Sequence, residues 1–394
     1  MTDDTEAFEL DFDGTTVLYG RNRVQELASI LAQQNLDRSL LVCGSNVGSN
    51  ERLMEPITTA LEDSLVGVFD ETTPAKRIET VYDGIALSQE LNPDVVIGVG
   101  GGSSLDIARQ IGVFEDDGRT LEDLRSAARA GDLKPPDSGE PTPVLTIPTT
   151  FAGAGTSSRG SIEVLSAEAS PTDKPIRTAG SNPPVAVIFD PSLFETTPFS
   201  AISGSAMNGF NKGLETLYTP ETNPVTDATA IRGLNFLSRS LPRLRDNPSV
   251  IDQAVIGMIL VQFEHRTSII HAFGHGLSRR YPVQQGIAHA IFVPHVLRYL
   301  FEEADVRQEL IANSLGVPTK SHSGETLTTD TVDRVIAIRE SLSLPSRLRE
   351  LTAVPQADIP AIAQTIVESP LLESSPAGID PAHDEIEDVV REAW

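Results

Sequence analysis

Short runs of Val, Ile and Leu ending in glycine or a small polar turn, each followed by helical apolar spacing, govern the first half of this chain. They are LLVCG (40–44) before ERLMEPITTALED, LVGVFD (65–70) before KRIETVYDGIALSQEL, and DVVIGVG (94–100) before a glycine turn and SSLDIAR. Apolar strands alternating with helices leave few options besides βαβ units on a mainly parallel sheet, because strands buried on both faces must be covered by helices on both sides. The spacing predicts an α/β domain over residues 1–190, interrupted at 115–143 by a polar excursion with a short helix and exposed turns. From FDPSLFETTPFSAISG (189–204) onward strand signals fade and helical patterns run to Trp394. This predicts an α-helical domain over 191–394, with the active-site cleft expected between the halves.

With 394 residues, 39% of them apolar, the chain is long enough for two cores. Cys43 is the only cysteine, so an intramolecular disulfide and a cysteine zinc cluster are excluded, and any metal rests on His and carboxylates. The formal net charge of −26 opposes nucleic acid phosphates and anionic membrane surfaces, which points to small-molecule partners and other protein chains. No apolar run reaches membrane-spanning length, and the start, MTDDTEAFELDFDG, is acidic where a secretory leader would be basic and then apolar, so a cytoplasmic location is expected. The acidity is dispersed and only five lysines occur, a composition that suits concentrated salt, where screening removes most self-repulsion. In so lysine-poor a chain, Lys212, on an otherwise small and apolar helix, stands out.

In VVIGVGGGSSLDIAR (95–109) a strand runs through glycines into a helix. Glycines let phosphate oxygens approach the backbone, and the helix's first amides supply donors, so Gly100, Gly101, Gly102 and Ser103, with Asp106 and Arg109 following, read as a pyrophosphate site. The plainer reading is a tight turn that holds nothing. In TIPTTFAGAGT (146–156), Thr149 and Thr150 put hydroxyls at a strand end, where parallel sheets bind ligands. The first strand ends in Gly44 and Ser45 rather than in an acid that would accept from a ribose 2′-hydroxyl, so NAD(H) and NADP(H) both stay open.

His265, His271, His275, His289 and His295 crowd into about a tenth of the chain, with only His322 and His383 elsewhere. His271 and His275 are four apart on one helical face, as a metal pair would be, or as two core or surface histidines. Asn208 and Lys212 have the same spacing, with Glu215 a further turn on. A protonated lysine has no lone pair and repels a divalent ion, so the set suits proton transfer better than ligation; alternatively Lys212 is a surface lysine paired with a carboxylate.

Taken together, GVGGGSSLDIAR, TIPTTFAGAGT, FDPSLF, SAMNGFNKGLETLY and HAFGHGLSRRYPVQQGIAHAIFVPH resemble the group III, iron-dependent alcohol dehydrogenase superfamily, in order and spacing, over nearly the whole chain. Within it, AMNGFNKGLETLYTPETNPVT, GVFDETTP and the ending VVREAW are most similar to maleylacetate reductases. The resemblance implies a dehydroquinate synthase-like fold, with an α/β NAD(P)-binding domain followed by an all-α catalytic domain, and a homodimer. By position, the superfamily's metal ligands, one Asp and three His, fall on Asn208, Lys212, His271 and Gln285, and a further family histidine falls on His275. One of the four ligands survives, and a metal-free enzyme is expected. In it, Lys212 and His275 polarise and protonate the substrate oxygen, and Asn208, His271 and Gln285 orient it. Arg159, Arg279 and Arg280 are candidate carboxylate anchors for a small anionic oxo acid or enone. The competing readings are a dehydrogenase or reductase of another small alcohol, aldehyde or ketone, a metal-free nucleotide-binding pseudoenzyme, and a lyase on the dehydroquinate synthase fold.

Overall fold

The structure is a computed structural model that describes residues 6–137, 139–304, 306–320 and 324–394, so that His322 lies outside the described residues. It divides into two compact units, Met1–Thr150 with Ala154–Thr197, and Phe151–Gly153 with Pro198–Trp394.

In the first unit, β1 (Phe8–Phe12), β2 (Thr15–Tyr19), β3 (Ser39–Val42), β4 (Leu65–Phe69), β5 (Val95–Gly100), β6 (Val144–Pro148) and β9 (Ala186–Phe189) form a sheet in the order β1-β2-β9-β6-β5-β3-β4. β7 (Ile162–Leu165) and β8 (Ile176–Thr178) pair separately. Within the seven-stranded sheet only β1 runs antiparallel to its neighbour, through a two-residue turn in which Asp13 and Gly14 both have positive φ. Alternate residues of the central strands face opposite cores. Leu41, Cys43, Ile97 and Val99 meet Leu53, Ile57 and Leu61 of α1 (Glu51–Leu61). Leu40, Val42, Val96 and Val144 meet Ile78, Val81 and Ile85 of α2 (Ile78–Leu91) and Ile107, Ile111 and Phe114 of α3 (Gly102–Asp117). Burial on both faces is why these strands read as unbroken apolar runs.

This winding creates a crevice. The chain leaves β3 for β4, returns past β3 to β5, and goes on to β6. Because parallel crossovers are right-handed, the reversal puts α1 and α2 on opposite faces and opens the space beyond the carboxyl ends of β3 and β5.

A buried guanidinium braces that end of the sheet. Arg109 on α3 is fully buried, donates to the carbonyls of Ala154 (2.6 Å) and Gly155 (2.8 Å), and pairs with Asp106 at 3.3 Å. Asp106 takes a second cation, Lys76, at 2.8 Å. Gly160 passes so close that a Cβ there would stand 2.8 Å from the Asp106 Cα. Burial brings the Arg109 pKa down to about 10, with Asp106 opposing the shift, so it stays charged at neutral pH.

The second unit is helical. α4 (Phe199–Tyr218) is buried almost all round in its C-terminal half, and α5 (Pro224–Ser240), α6 (Ile251–Leu260), α7 (Ile269–Ser278) and α8 (Gln285–Glu303) are among the helices that follow it. Small residues let it be enclosed: a Cβ at Gly213 would stand 2.8 Å from Val261 and 2.9 Å from Leu234 on α5. A helix buried on every side must satisfy its polar side chains inside the protein. Arg109→Ala is expected to lower the unfolding free energy by about 3–5 kcal/mol, because it leaves two carbonyls without their donor, takes one of two cations from Asp106 and empties a fully buried site. Urea unfolding measures this, and a loss under about 1 kcal/mol would equate the bridge with a surface pair.

Candidate active site

The crevice gathers one group of residues. Gly100 has φ +122°, a conformation that side-chain-bearing residues rarely adopt, and a Cβ there would stand 3.3 Å from Val47 in the helical turn Ser45–Gly48 after β3. Gly101 caps α3 without any side-chain bond, and no acidic residue occupies the first helical turn, which leaves that end open to an anion. Thr150 lies 3.5 Å from where a Gly101 Cβ would be. The Thr149 amide donates to the Gly100 carbonyl at 3.0 Å, and the Thr149 carbonyl accepts from the Thr197 hydroxyl at 2.9 Å. Gly44, Ser45, Gly100, Gly101, Gly102, Ser103, Thr149 and Thr150 thus line the carboxyl ends of β3, β5 and β6. Asp106 sits a turn into α3 with its carboxylate held by Lys76 and Arg109.

The sequence reading passed over the end of β4. There the chain bends across β3: the Cys43 amide donates to the Phe69 carbonyl at 2.9 Å, and the Thr72 amide to the Cys43 carbonyl at 3.1 Å. This brings Asp70 and Glu71 to the crevice rim and sets the buried Thr72 hydroxyl 2.6 Å from that of Ser104. Their signal lay in strand order, since β4 pairs with β3.

In the helical unit, α4 is stitched to residues 151–153 at successive turns. The Phe151 amide donates to the Ser205 hydroxyl at 3.1 Å, the Asn208 amide group to the Ala152 carbonyl at 3.1 Å, and the Lys212 ammonium to the Gly153 carbonyl. Lys212 is only 7% exposed, which overturns the surface-lysine alternative. Gly153 has φ +69°, and a Cβ there would stand 3.2 Å from Lys212 Nζ. One turn on, the fully buried Glu215 accepts from the amides of Ser268 and His271, each at 2.9 Å, at the start of α7. Its other oxygen meets His271 Nδ1, and His271 Nε2 lies 3.1 Å from Asn208 Oδ1.

This network assigns its protons. The Ala152 carbonyl can only accept, so Asn208 turns its nitrogen there and its oxygen to His271 Nε2, which therefore carries hydrogen. Burial and the Lys212 charge push the His271 pKa down to about 3, so the imidazole is neutral and Nδ1 is a bare lone pair. The Glu215 oxygen facing it must be protonated. This agrees with a carboxyl pushed up to about 8 by burial, against the pull of the α7 amides.

The sequence model described as Iron-containing alcohol dehydrogenase matches residues 14–191, and the one described as Fe-containing alcohol dehydrogenase family, C-terminal, matches residues 202–394. The chain belongs to the iron-containing alcohol dehydrogenase family. Similar proteins include the NAD-dependent methanol dehydrogenase of Bacillus methanolicus, 25% identical over 91% of this chain and 93% of that protein. Another is the maleylacetate reductase of Pseudomonas sp. (strain P51), 24% identical over 72% of each. The crystal structure of a 1,3-propanediol oxidoreductase shares the fold, with a TM-score of 0.83 at 20% identity over 99% of both chains.

For this member of the iron-containing alcohol dehydrogenase family, the residues at the expected ligand positions do not fit a divalent ion. Lys212 presents an ammonium, Asn208 Oδ1 is taken by His271, and both nitrogens of His271 are engaged. Gln285 opens α8, and the neighbouring Gly286 packs against the Gly204 carbonyl of α4. Among the described residues, no three His, Cys, Asp or Glu side chains converge as a metal-binding group.

His275, one turn beyond His271 on α7, has an assignable tautomer too. Arg279 donates to its Nδ1 at 3.1 Å, so the neutral ring carries hydrogen on Nε2. Arg279, expected as a substrate anchor, thus orients His275. Arg280 and Arg159 are both exposed, Arg280 just past α7 and Arg159 in the first unit. The sequence reading gave no role to His265 and His289. His265 Nδ1 donates to the Gln262 carbonyl at 3.0 Å, and burial together with the Lys212 charge holds its pKa down at about 3. His289 packs 4.5 Å from the His271 ring, with room left by Gly274.

The protonated Glu215 carries a pH signature. Its stabilisation is complete below the ordinary value of 4.5 and is lost as pH rises through about 8. For His271 the order reverses: stabilisation holds above 6.5 and is lost as pH falls towards about 3. Glu215→Gln reproduces the neutral acid, accepting from the α7 amides and donating to His271 Nδ1. Thermal melts are expected to show wild type losing stability from pH 6 to 9 while Glu215→Gln does not, and Glu215→Ala weakened throughout. A Gln variant as damaged as the Ala variant would mean that the carboxyl is ionised.

Proposed function

We propose that this oxidoreductase is a NAD(P)H-dependent reductase of the maleylacetate reductase type, acting on a small anionic oxo acid or enone without a bound metal, with Lys212 as the electrophile. The observation that carries the reading is the buried Lys212 ammonium, held by the Gly153 carbonyl within the Asn208–His271–Glu215 network, at a position where the family expects a ligand.

Gly44, Ser45, Gly100, Gly101, Gly102, Ser103, Thr149 and Thr150 are the residues that would hold the dinucleotide. When bound, that cofactor supplies a hydride. The residues around Lys212 manage the substrate oxygen. As negative charge develops there, the ammonium stabilises it and gives up one proton, which solvent restores to the amine. His275, turned by Arg279 so that Nε2–H is presented, is the second donor. Asn208, through its second amide hydrogen, and Gln285 orient the substrate, His271 acts by holding Asn208 in place, and the protonated Glu215 keeps His271 neutral, so that Lys212 is the local positive charge. That charge complements an anionic substrate, which supports the oxo acid class over neutral alcohols.

Turnover with a panel of oxo acids, using NADH and NADPH in concentrated salt, tests the reading. Lys212→Ala is expected to lower kcat by about 10²–10³-fold, the scale for removing one transition-state donor, with nucleotide binding unchanged. Full turnover by that variant would remove Lys212 from the chemistry. A wild type that binds nucleotide tightly but turns nothing over would leave a nucleotide-binding protein instead.

A further inference from the structure

We propose that Asp70, at the carboxyl end of β4, reads the ribose 2′-position of the dinucleotide and makes this enzyme prefer NADH over NADPH; the inference rests on the dinucleotide reading above.

Sheets of this kind bind nucleotides where the winding reverses, here between β3 and β5. The phosphate-approaching glycines follow β5, so the neighbouring strand end on the far side from β6 is where the adenosine ribose falls. In many such sites an acid at that strand end accepts from the 2′-hydroxyl and repels a 2′-phosphate. Here β3 ends in Gly44, and a Cβ at Gly44 would already stand 3.1 Å from the Thr72 carbonyl, so a side chain there is crowded by the β4 loop.

That loop brings an acid of its own. The hydrogen bonds of Cys43 with Phe69 and Thr72 pull the end of β4 across the end of β3. Asp70 then lies over the helical turn Ser45–Gly48: a Cβ on Gly48 would stand 2.9 Å from the Asp70 Cβ and 3.1 Å from its Oδ2. The carboxylate is seated on the loop because Gly48 has no side chain. Its field reaches the end of β3, where the buried Cys43 thiol is pushed up to about 11, first by burial and then by the Asp70 charge. Lys76 is committed to Asp106 and offers no ready counter-charge for a 2′-phosphate. Glu71 is exposed beside Asp70 and adds negative charge. The acid absent from β3 is supplied by β4.

Dissociation constants for NADH and NADPH, from nucleotide fluorescence at fixed ionic strength, test this without turnover. Wild type is expected to bind NADH about tenfold or more tighter than NADPH, the scale of one charge-assisted hydrogen bond gained and one like-charge contact avoided. Asp70→Asn should narrow the ratio about tenfold, chiefly by tightening NADPH. Gly48→Ala, which displaces the carboxylate without removing it, should move the ratio the same way. Thermal melts check that both variants fold. Equal binding by wild type, or an unchanged ratio in Asp70→Asn, overturns the role of Asp70 while leaving the dinucleotide site intact. Failure of both nucleotides to bind overturns the dinucleotide reading and this inference with it.

Discussion

An ammonium enclosed by α4 and residues 151–153 is the constraint around which the helical unit is arranged. Lys212 is buried on a helix with almost no solvent face, so its charge has to be met by protein acceptors. The Gly153 carbonyl meets it through a loop bent into positive φ, and the same loop fixes Asn208, which fixes the His271 proton, which fixes the state of Glu215. One backbone carbonyl, that of Ala152, thus propagates through three side chains. Burial acts in the same direction, keeping both the acid and the imidazole neutral beside a cation.

At the positions where the resemblance puts the family's metal ligands, more than one residue departs from the ligand set. If only Lys212 had changed, a neighbouring imidazole could still offer a lone pair, but His271 Nε2 is a donor into Asn208 and Nδ1 accepts from Glu215. Amides at Asn208 and Gln285 are neutral groups that both donate and accept, so they suit a site that orients an oxygen more than one that binds a cation. On the function proposed above, the positive charge that faces the substrate oxygen comes from a side chain that can also give a proton.

What could be read from the sequence follows how local each cause is. The strand–glycine–helix passage at Val95–Arg109 was legible because strand burial, turn chemistry and helix start are set by adjacent residues. The α/β and helical halves followed from the same periodicities. Asp106 was placed correctly on its helix, but its carboxylate serves Lys76, thirty residues earlier, and Arg109. Glu215 was seen to share a face with Lys212, whereas its partner His271 lies 56 residues away. Asp70 escaped notice because its relevance depends on β4 lying beside β3, a pairing that no local pattern encodes. Arg279 was read as a candidate substrate anchor, and its contact with His275, four residues earlier on the same helical face, went unread.

The claim on which the account depends is that a cation of the chain has replaced a bound ion. Elemental analysis of the protein, purified without added metal and again after incubation with ferrous iron or zinc followed by dialysis, measures this directly. The account predicts far less than one ion per chain in both preparations. One tightly held iron or zinc per chain would contradict it, and would require His271 to free a lone pair that this network has already used.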